Sequence, residues 1–182
     1  TDPEVRGRLE QILSRLGKAD WRTDLDKALL EAKAQNRPLI VLATAVDMDG
    51  FSGLAAHLMR TATCTDPDLA DCLNAHYITV AVPLSAECEF CSTRSPEAPR
   101  PPSAPPGEAA YPDGGGGEQV RTYYCAPDGT VRHVTSGFWS AEAYLREARR
   151  ALPLVEAGTL SEALEARRRL GFMPDFFGIY DH

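Results

Sequence analysis

The sequence has 182 residues, of which 43% are apolar and 25% are charged, a balance typical of one globular domain with room for an insertion or a tail. The net charge of −7 and the pI of about 5.1 argue against a nucleic-acid partner held by general electrostatics. The longest apolar run, residues 38–46, is far shorter than the ~20 residues needed to cross a bilayer, so no transmembrane segment is expected. No signal peptide is visible, and the chain starts at Thr1 rather than at methionine, which is compatible with an upstream signal or anchor.

The first part of the chain predicts two helices and a strand. Apolar residues at helical spacing over residues 5–16 predict an amphipathic N-terminal helix. A second helix should begin at Thr23, where Thr23 and Asp26 resemble a capping box, and should end before Asn36. The apolar run at residues 38–46 then predicts a strand that is buried on both faces of a parallel sheet.

The next segment predicts a helical crossover to a second buried strand. A helix is expected over about residues 51–62, and Asp66 with Pro67 is the start signal of another helix. Its inner stripe should consist of Leu69, Cys72 and Leu73. Residues 77–84 predict a strand parallel to the first, since a β-α-β order requires a crossover connection.

Composition changes abruptly after Cys91, where half of the chain's 14 prolines and four consecutive glycines fall within residues 95–117. Neither a helix nor a central strand is compatible with that composition. We therefore predict a Pro/Gly-rich surface insertion at residues 92–118, and its arm, residues 95–117, should be mobile when it has no partner.

The last part of the chain predicts a hairpin and two helices. Strands are expected at residues 120–125 and 131–135, joined by a turn at residues 127–130. Ser140 should cap a helix that ends at Pro153, and a last helix is expected at about residues 161–170. Together the segments predict a mixed sheet of four or five strands. The residues expected to be largely buried are Leu39, Val41, Ile78, Val80, Trp139 and Leu145.

Three stretches between Asp20 and Leu152 carry motifs in a recognisable order. They comprise Trp21, Ala28, Lys33 and Arg37-Pro38; residues 65–74 with 77–82; and residues 124–129 with Gly137. In this order they resemble bacterial thioredoxin-like domains. The resemblance implies a thioredoxin-like three-layer α/β sandwich, with a central mixed β-sheet that carries helices on both faces. Residues 1–19 would then form an N-terminal amphipathic helix, residues 20–152 the thioredoxin-like domain, and residues 153–182 a C-terminal helix with an aromatic tail.

Two signatures of thioredoxin catalysis are missing from the sequence. The family places Cys-x-x-Cys after the first of these strands, but residues 47–53 contain no cysteine. The family also places a cis-proline just before the hairpin, whereas no proline lies between Pro112 and Pro127. Ordinary dithiol exchange is therefore not expected.

Cys88 and Cys91 form the most specific motif in the chain. Their spacing allows a disulfide within one small loop or two ligands of a metal ion. We expect a structural disulfide, consistent with an extracytoplasmic location, and no cofactor. Two alternatives remain open. The cysteines could be a relocated redox pair or free thiols, or they could bind zinc with further ligands from Cys64, Cys125 or His133.

The remaining cysteines are expected to be structural. Cys72 lies on the inner stripe of its helix, and Cys125 lies in a strand, so both should be core thiols. Cys64 could pair with Cys72. Asp47 and Asp49 follow the first long strand, where two carboxylates without a third ligand indicate a turn more often than a cation site.

The aromatic tail predicts an interaction surface. Phe172, Phe176, Phe177 and Tyr180 crowd a short segment beyond the last helix and would be unfavourable if left in water. The sequence thus favours a redox-inactive thioredoxin-like accessory or scaffold subunit that binds other proteins in an extracytoplasmic, membrane-associated complex. The alternative is an atypical thiol-disulfide oxidoreductase that uses Cys88 and Cys91.

Overall fold

The computed structural model of the chain describes residues 17–45, 53–84, 113–117 and 119–157. Several predicted features lie outside these described residues. They are the helix at residues 5–16, Asp47 and Asp49, the Cys88–Cys91 pair, the helix at residues 161–170 and the aromatic tail with Phe172, Phe176, Phe177 and Tyr180.

The described residues alternate between strands and helices in the first half and end in a hairpin and a helix. In chain order the elements are β1 (Trp21–Arg22), α1 (Leu25–Gln35), β2 (Leu39–Thr44), α2 (Leu54–Thr61), a 3-10 turn (Thr63–Thr65), α3 (Pro67–His76), β3 (Ile78–Pro83), β4 (Val120–Cys125), β5 (Val131–Ser136) and α4 (Ala141–Glu156).

The strands form one five-stranded mixed sheet in the order β1-β3-β2-β4-β5. Strands β1, β3 and β2 are parallel, whereas β4 is antiparallel to β2 and β5 is antiparallel to β4. The predicted mixed sheet and its central parallel pair, β2 with β3, are therefore confirmed. Strand β1 was not predicted. It has two residues, and the Asn74 side chain holds the chain just before it by accepting from the Asp20 amide and donating to the Lys18 carbonyl, both at 2.9 Å.

Helices cover both faces of the sheet. One face, which we call the three-helix face, packs Ile40, Leu42 and Tyr124 against α2, α3 and α4. The opposite, one-helix face packs Val41 and Val80 against α1. The structure is thus a mixed α/β fold with helices on both sides of a central sheet. Burying β2 on both faces explains why its sequence is a continuous apolar run.

Four of the six predicted core residues are fully buried, namely Leu39, Val41, Ile78 and Val80. Trp139 and Leu145 are only half-buried, so the prediction that they are largely buried was wrong. Both lie at the rim of the three-helix face. Trp139 sits between β5 and α4, where its indole N–H donates to the Ser136 carbonyl at 3.1 Å.

Local signals placed the helix starts to within three residues. Asp66 caps α3 by accepting from the Leu69 amide at 2.9 Å, as predicted. Helix α1 begins one residue later than expected, because Asp24 rather than Thr23 accepts from the Lys27 amide at 3.0 Å. The carboxylate of Asp24 also pairs with the Lys27 ammonium at 2.8 Å, which favours this cap.

Helix α4 does not stop at Pro153, contrary to the prediction. It continues to Glu156, so the predicted domain boundary between residues 152 and 153 falls inside this helix. Pro153 faces solvent, whereas Leu154 and Val155 are fully buried. Burial of these two side chains offsets the hydrogen bond that a proline removes from a helix.

Candidate functional site

The carboxyl ends of β2 and β3 meet the start of β4 at one edge of the sheet. The Leu84 amide donates to the Thr44 carbonyl at 2.8 Å, and the Ala45 amide donates to the Gln119 carbonyl at 2.7 Å. These two hydrogen bonds hold the first residue after β2 and the first residue after β3 at this edge. Ligands of open α/β sheets bind outside the carboxyl ends of the strands, so this edge is the first place to look for chemistry.

Helix α2 begins at this edge, and one polar side chain accepts a hydrogen bond from its first turn. The residue before the helix, Gly53, provides no side-chain cap. Instead the Ala55 amide donates to the side-chain oxygen of Gln119 at 3.0 Å. Gln119 immediately precedes β4. An amide that could otherwise stabilise an anion at the helix N-terminus therefore already has a neutral partner.

A second contact fixes the same edge. The Arg60 guanidinium, near the end of α2, donates to the Thr44 hydroxyl at 3.0 Å, and Thr44 is buried. Sequence analysis had no means of selecting Gln119, Thr44 or Arg60. Gln119 and Ala55 are 64 positions apart, and no local pattern marks either of them.

The end of the Pro/Gly-rich segment packs into the fold. The Asp113 carboxylate accepts from the Ser140 amide and from the Ser140 hydroxyl, the latter at 3.1 Å. Gly137 has a φ of +81°, and a Cβ there would lie 2.4 Å from the Gly114 carbonyl oxygen. Residues 113 and 114, near the end of the predicted insertion (residues 92–118), therefore pack against the connection between β5 and α4.

Ser140 occupies the N-cap position of α4, but its side chain does not cap the helix. The hydroxyl donates to Asp113 instead, so the predicted capping role is wrong. The consequence is a carboxylate fixed beside the start of α4, where the helix dipole favours negative charge.

Three of the five cysteines lie in the described part of the chain. None of Cys64, Cys72 and Cys125 forms a disulfide, so the possible pairing of Cys64 with Cys72 is wrong. Cys72 and Cys125 are buried core thiols, as predicted. Burial raises the pKa of Cys64 from 9.0 to about 12, so this side chain remains a neutral thiol at physiological pH.

A polar cluster that sequence analysis did not find lies between the hairpin and α4. His133 Nε2 and Glu147 Oε1 are 2.7 Å apart, with only 13% and 12% of their side chains exposed. The Tyr124 ring lies 5.3 Å from the His133 ring and 6.4 Å from the Tyr144 ring, measured between centroids. Burial raises the pKa of both tyrosines well above 10.0.

A further tyrosine ties α4 to α3. The Tyr77 hydroxyl donates to the Ala148 carbonyl at 2.6 Å in a buried position. Together with the His133–Glu147 contact, this bond fixes the position of α4 against the sheet. The cluster therefore has a structural explanation, because each of these polar contacts joins two elements that are distant in sequence.

Within the described ranges, no group of three or more His, Cys, Asp or Glu side chains could hold a metal ion. Cys125 packs on the one-helix face, whereas Cys64 and His133 lie on the three-helix face. Cys125 therefore cannot join either of them around one ion. None of the helices in the described ranges is long and apolar enough to cross a membrane.

The sequence matches no protein-family model and no curated protein.

Proposed function

We propose that the chain is a redox-inactive protein of the thioredoxin-like fold that serves as an accessory or scaffold subunit and binds other proteins in an extracytoplasmic complex. The fold part of this proposal is supported by the element order. A β-α-β unit with parallel β2 and β3 is followed by the β4–β5 hairpin and a final helix, in one mixed sheet.

The observation that carries the redox-inactive role is the start of α2. A dithiol enzyme of this fold needs a cysteine there, because the free amides and the dipole of the helix stabilise its thiolate. Residues 47–53 contain no cysteine, and the Ala55 amide is bonded to Gln119. The described thiols offer no substitute, because the pKa of Cys64 is about 12 and the other two are buried.

An insulin-reduction assay with dithiothreitol tests the absence of dithiol exchange. The wild-type chain should not accelerate insulin precipitation above the reductant alone. The Cys88→Ser variant should give the same rate, and Cys64→Ser is the matched control. Turnover that disappears in Cys88→Ser but survives in Cys64→Ser would contradict the proposal and support the alternative, an oxidoreductase that uses Cys88 and Cys91.

That alternative is favoured by one specific observation, the Cys-x-x-Cys spacing of Cys88 and Cys91. In our proposal these cysteines form a structural disulfide, as expected for an extracytoplasmic protein. Thiol titration in denaturant should then detect three thiols without reductant and five after reduction, since Cys64, Cys72 and Cys125 form no disulfide. Five thiols without reductant would exclude the disulfide, and stoichiometric zinc in the purified protein would indicate a metal site instead.

The partner-binding part of the proposal is based on the aromatic tail. Phe172, Phe176, Phe177 and Tyr180 supply the kind of anchors that protein interfaces favour. Deleting residues 172–182 should release the chain from its native complex while the truncated chain keeps a cooperative thermal transition. Loss of that transition would mean that the tail belongs to the chain's own core.

A further inference from the structure

We propose that residues 17–22 form a strap that opens as one unit while the rest of the described fold stays closed, and that its opening bares the outer edge of β3. The strap ends in β1, the two-residue strand that pairs with β3 at one side of the sheet. Opening of the strap is independent of the redox role of the chain. Its closed state protects a strand edge.

The strap is held mainly by polar contacts at the surface. The Asn74 side chain donates to the Lys18 carbonyl and accepts from the Asp20 amide, and both hydrogen bonds are exposed. The Arg22 guanidinium donates to the Glu31 carboxylate of α1 at 2.5 and 2.7 Å, but the two side chains remain 23% and 32% exposed. Because water competes for such groups and screens their charges, each contact adds little to stability.

The strap buries little apolar surface. None of its six residues is fully buried, and its apolar side chains, Ala19 and Trp21, pack half-buried against the core of the three-helix face. Gly17 has no side chain, and its amide donates to the Thr65 carbonyl just before α3. Strand β2, by contrast, buries all six of its residues. Segments with few buried apolar contacts and exposed hydrogen bonds open at a lower free energy than the whole domain unfolds, so the strap should open separately.

Opening of the strap changes one edge of β3 and leaves the other edge paired. The Ile78 amide donates to the Pro38 carbonyl at 2.8 Å, so the backbone of Ile78 faces β2. Successive residues of a strand direct their N–H and C=O groups to opposite edges, so the backbone of Thr79, which is opposite Trp21, faces β1. Without the strap this side of β3 is an open edge, and open edges pair with extended segments of other chains.

Native-state hydrogen exchange, followed by NMR on the full-length chain, tests the separate opening. The Ile78 and Thr79 amides are a matched pair, because both residues are buried neighbours in one strand and differ in the edge that they face. Exchange is measured in the wild type at urea concentrations below the unfolding transition and in two variants, Asn74→Ala and His133→Ala. Asn74 contacts the strap, whereas His133 lies on β5, at the opposite edge of the sheet.

We expect the Thr79 and Arg22 amides to be protected at least about tenfold less than the Ile78 amide, with exchange rates that change little with urea because opening the strap exposes little surface. His133→Ala should accelerate exchange of Ile78 alone, since the His133 contact persists when the strap is open. Asn74→Ala should accelerate Thr79 and Ile78 by the same factor, because its hydrogen bonds are lost both when the strap opens and when the chain unfolds.

Two results would overturn the proposal. In the wild type, the Thr79 amide could be protected as strongly as the Ile78 amide and show the same dependence on urea, which would mean that both exchange only by global unfolding. In His133→Ala, exchange of both amides could accelerate equally, which would have the same meaning. If a variant fails to fold, the comparison of Thr79 with Ile78 in the wild type still decides.

Discussion

Replacing His133 with alanine would leave the Glu147 carboxylate, which is 12% exposed, without the imidazole nitrogen that lies 2.7 Å from it. A hydrogen bond that involves a charged group contributes about 1.5–3 kcal/mol to stability. The variant also loses the contact between the His133 and Tyr124 rings, which are 5.3 Å apart, and such ring pairs contribute about 0.5–1.5 kcal/mol. We therefore expect a loss of about 2–4.5 kcal/mol, and a decrease in Tm of about 4–18 °C.

A double-mutant cycle isolates the pair itself. Urea unfolding of His133→Ala, Glu147→Ala and the double variant should give a coupling free energy of about 1.5–3 kcal/mol with an unchanged m value. The matched control is the Glu142–Arg146 pair on the same helix, whose atoms are 2.5 Å apart but whose side chains are 83% and 68% exposed. Its coupling should be about 0.3–0.5 kcal/mol, because solvent screens exposed pairs. Equal couplings for the two pairs would refute the argument that burial makes the first contact important.

Three further predictions concern the fold. Gly137→Ala should destabilise the protein by more than about 2 kcal/mol in urea unfolding, because the backbone has a φ of +81° and the new Cβ would meet the Gly114 carbonyl. Gly117→Ala, whose Cβ would meet only the Ser136 side chain at 3.5 Å, should change stability by much less, and a similar loss in both variants would contradict the argument. Asp66→Ala should cost about 1 kcal/mol, since the Leu69 amide loses its cap, and an unchanged urea midpoint would show that this cap is dispensable. On the alkaline side, stability should begin to fall at about pH 9, because Cys64 loses its proton at 9.0 in the unfolded chain but only at about 12 in the folded one. Each such group contributes a slope of about 1.4 kcal/mol per pH unit between its two pKa values, and from pH 10.0 the buried tyrosines add to it. These are Tyr77, Tyr124 and Tyr144. Urea midpoints measured from pH 8 to 11 check this decline in stability. The Cys64→Ala variant should lose stability less steeply just above pH 9. A midpoint that does not change with pH would show that these groups ionise freely in the folded protein.

The elements that could be predicted from sequence are those whose signals are local. The continuous apolar runs of β2 and β3 require burial on both faces, which a parallel pair in the middle of a sheet provides. Asp66 and Pro67 define a helix start within two residues. The turn between β4 and β5 depends on Gly129, which has a φ of +84°, and on Asp128, which accepts from the Thr130 amide. Each of these local structures is favoured by residues close in sequence and needs no specific contact with a distant part of the chain.

The features that only the tertiary structure decided are contacts between distant residues. Strand β1 has no sequence signal, and it forms because β3 offers hydrogen bonds and Asn74 holds the preceding chain. Pro153 ends helices by local rules, yet burial of Leu154 and Val155 keeps α4 intact. The partners of Gln119 at the start of α2 and of His133 on α4 likewise depend on how the elements pack.

The same division applies to function. The sequence alone determined that the loop after β2 lacks a cysteine, because residue identity decides whether a thiolate can exist there. The packed structure decided that the Gln119 side chain accepts from the Ala55 amide at the start of α2 and that burial keeps Cys64 protonated. Burial and hydrogen-bond pairing depend on which surfaces the fold brings together, and that information is distributed over the whole chain rather than held in any local segment of it.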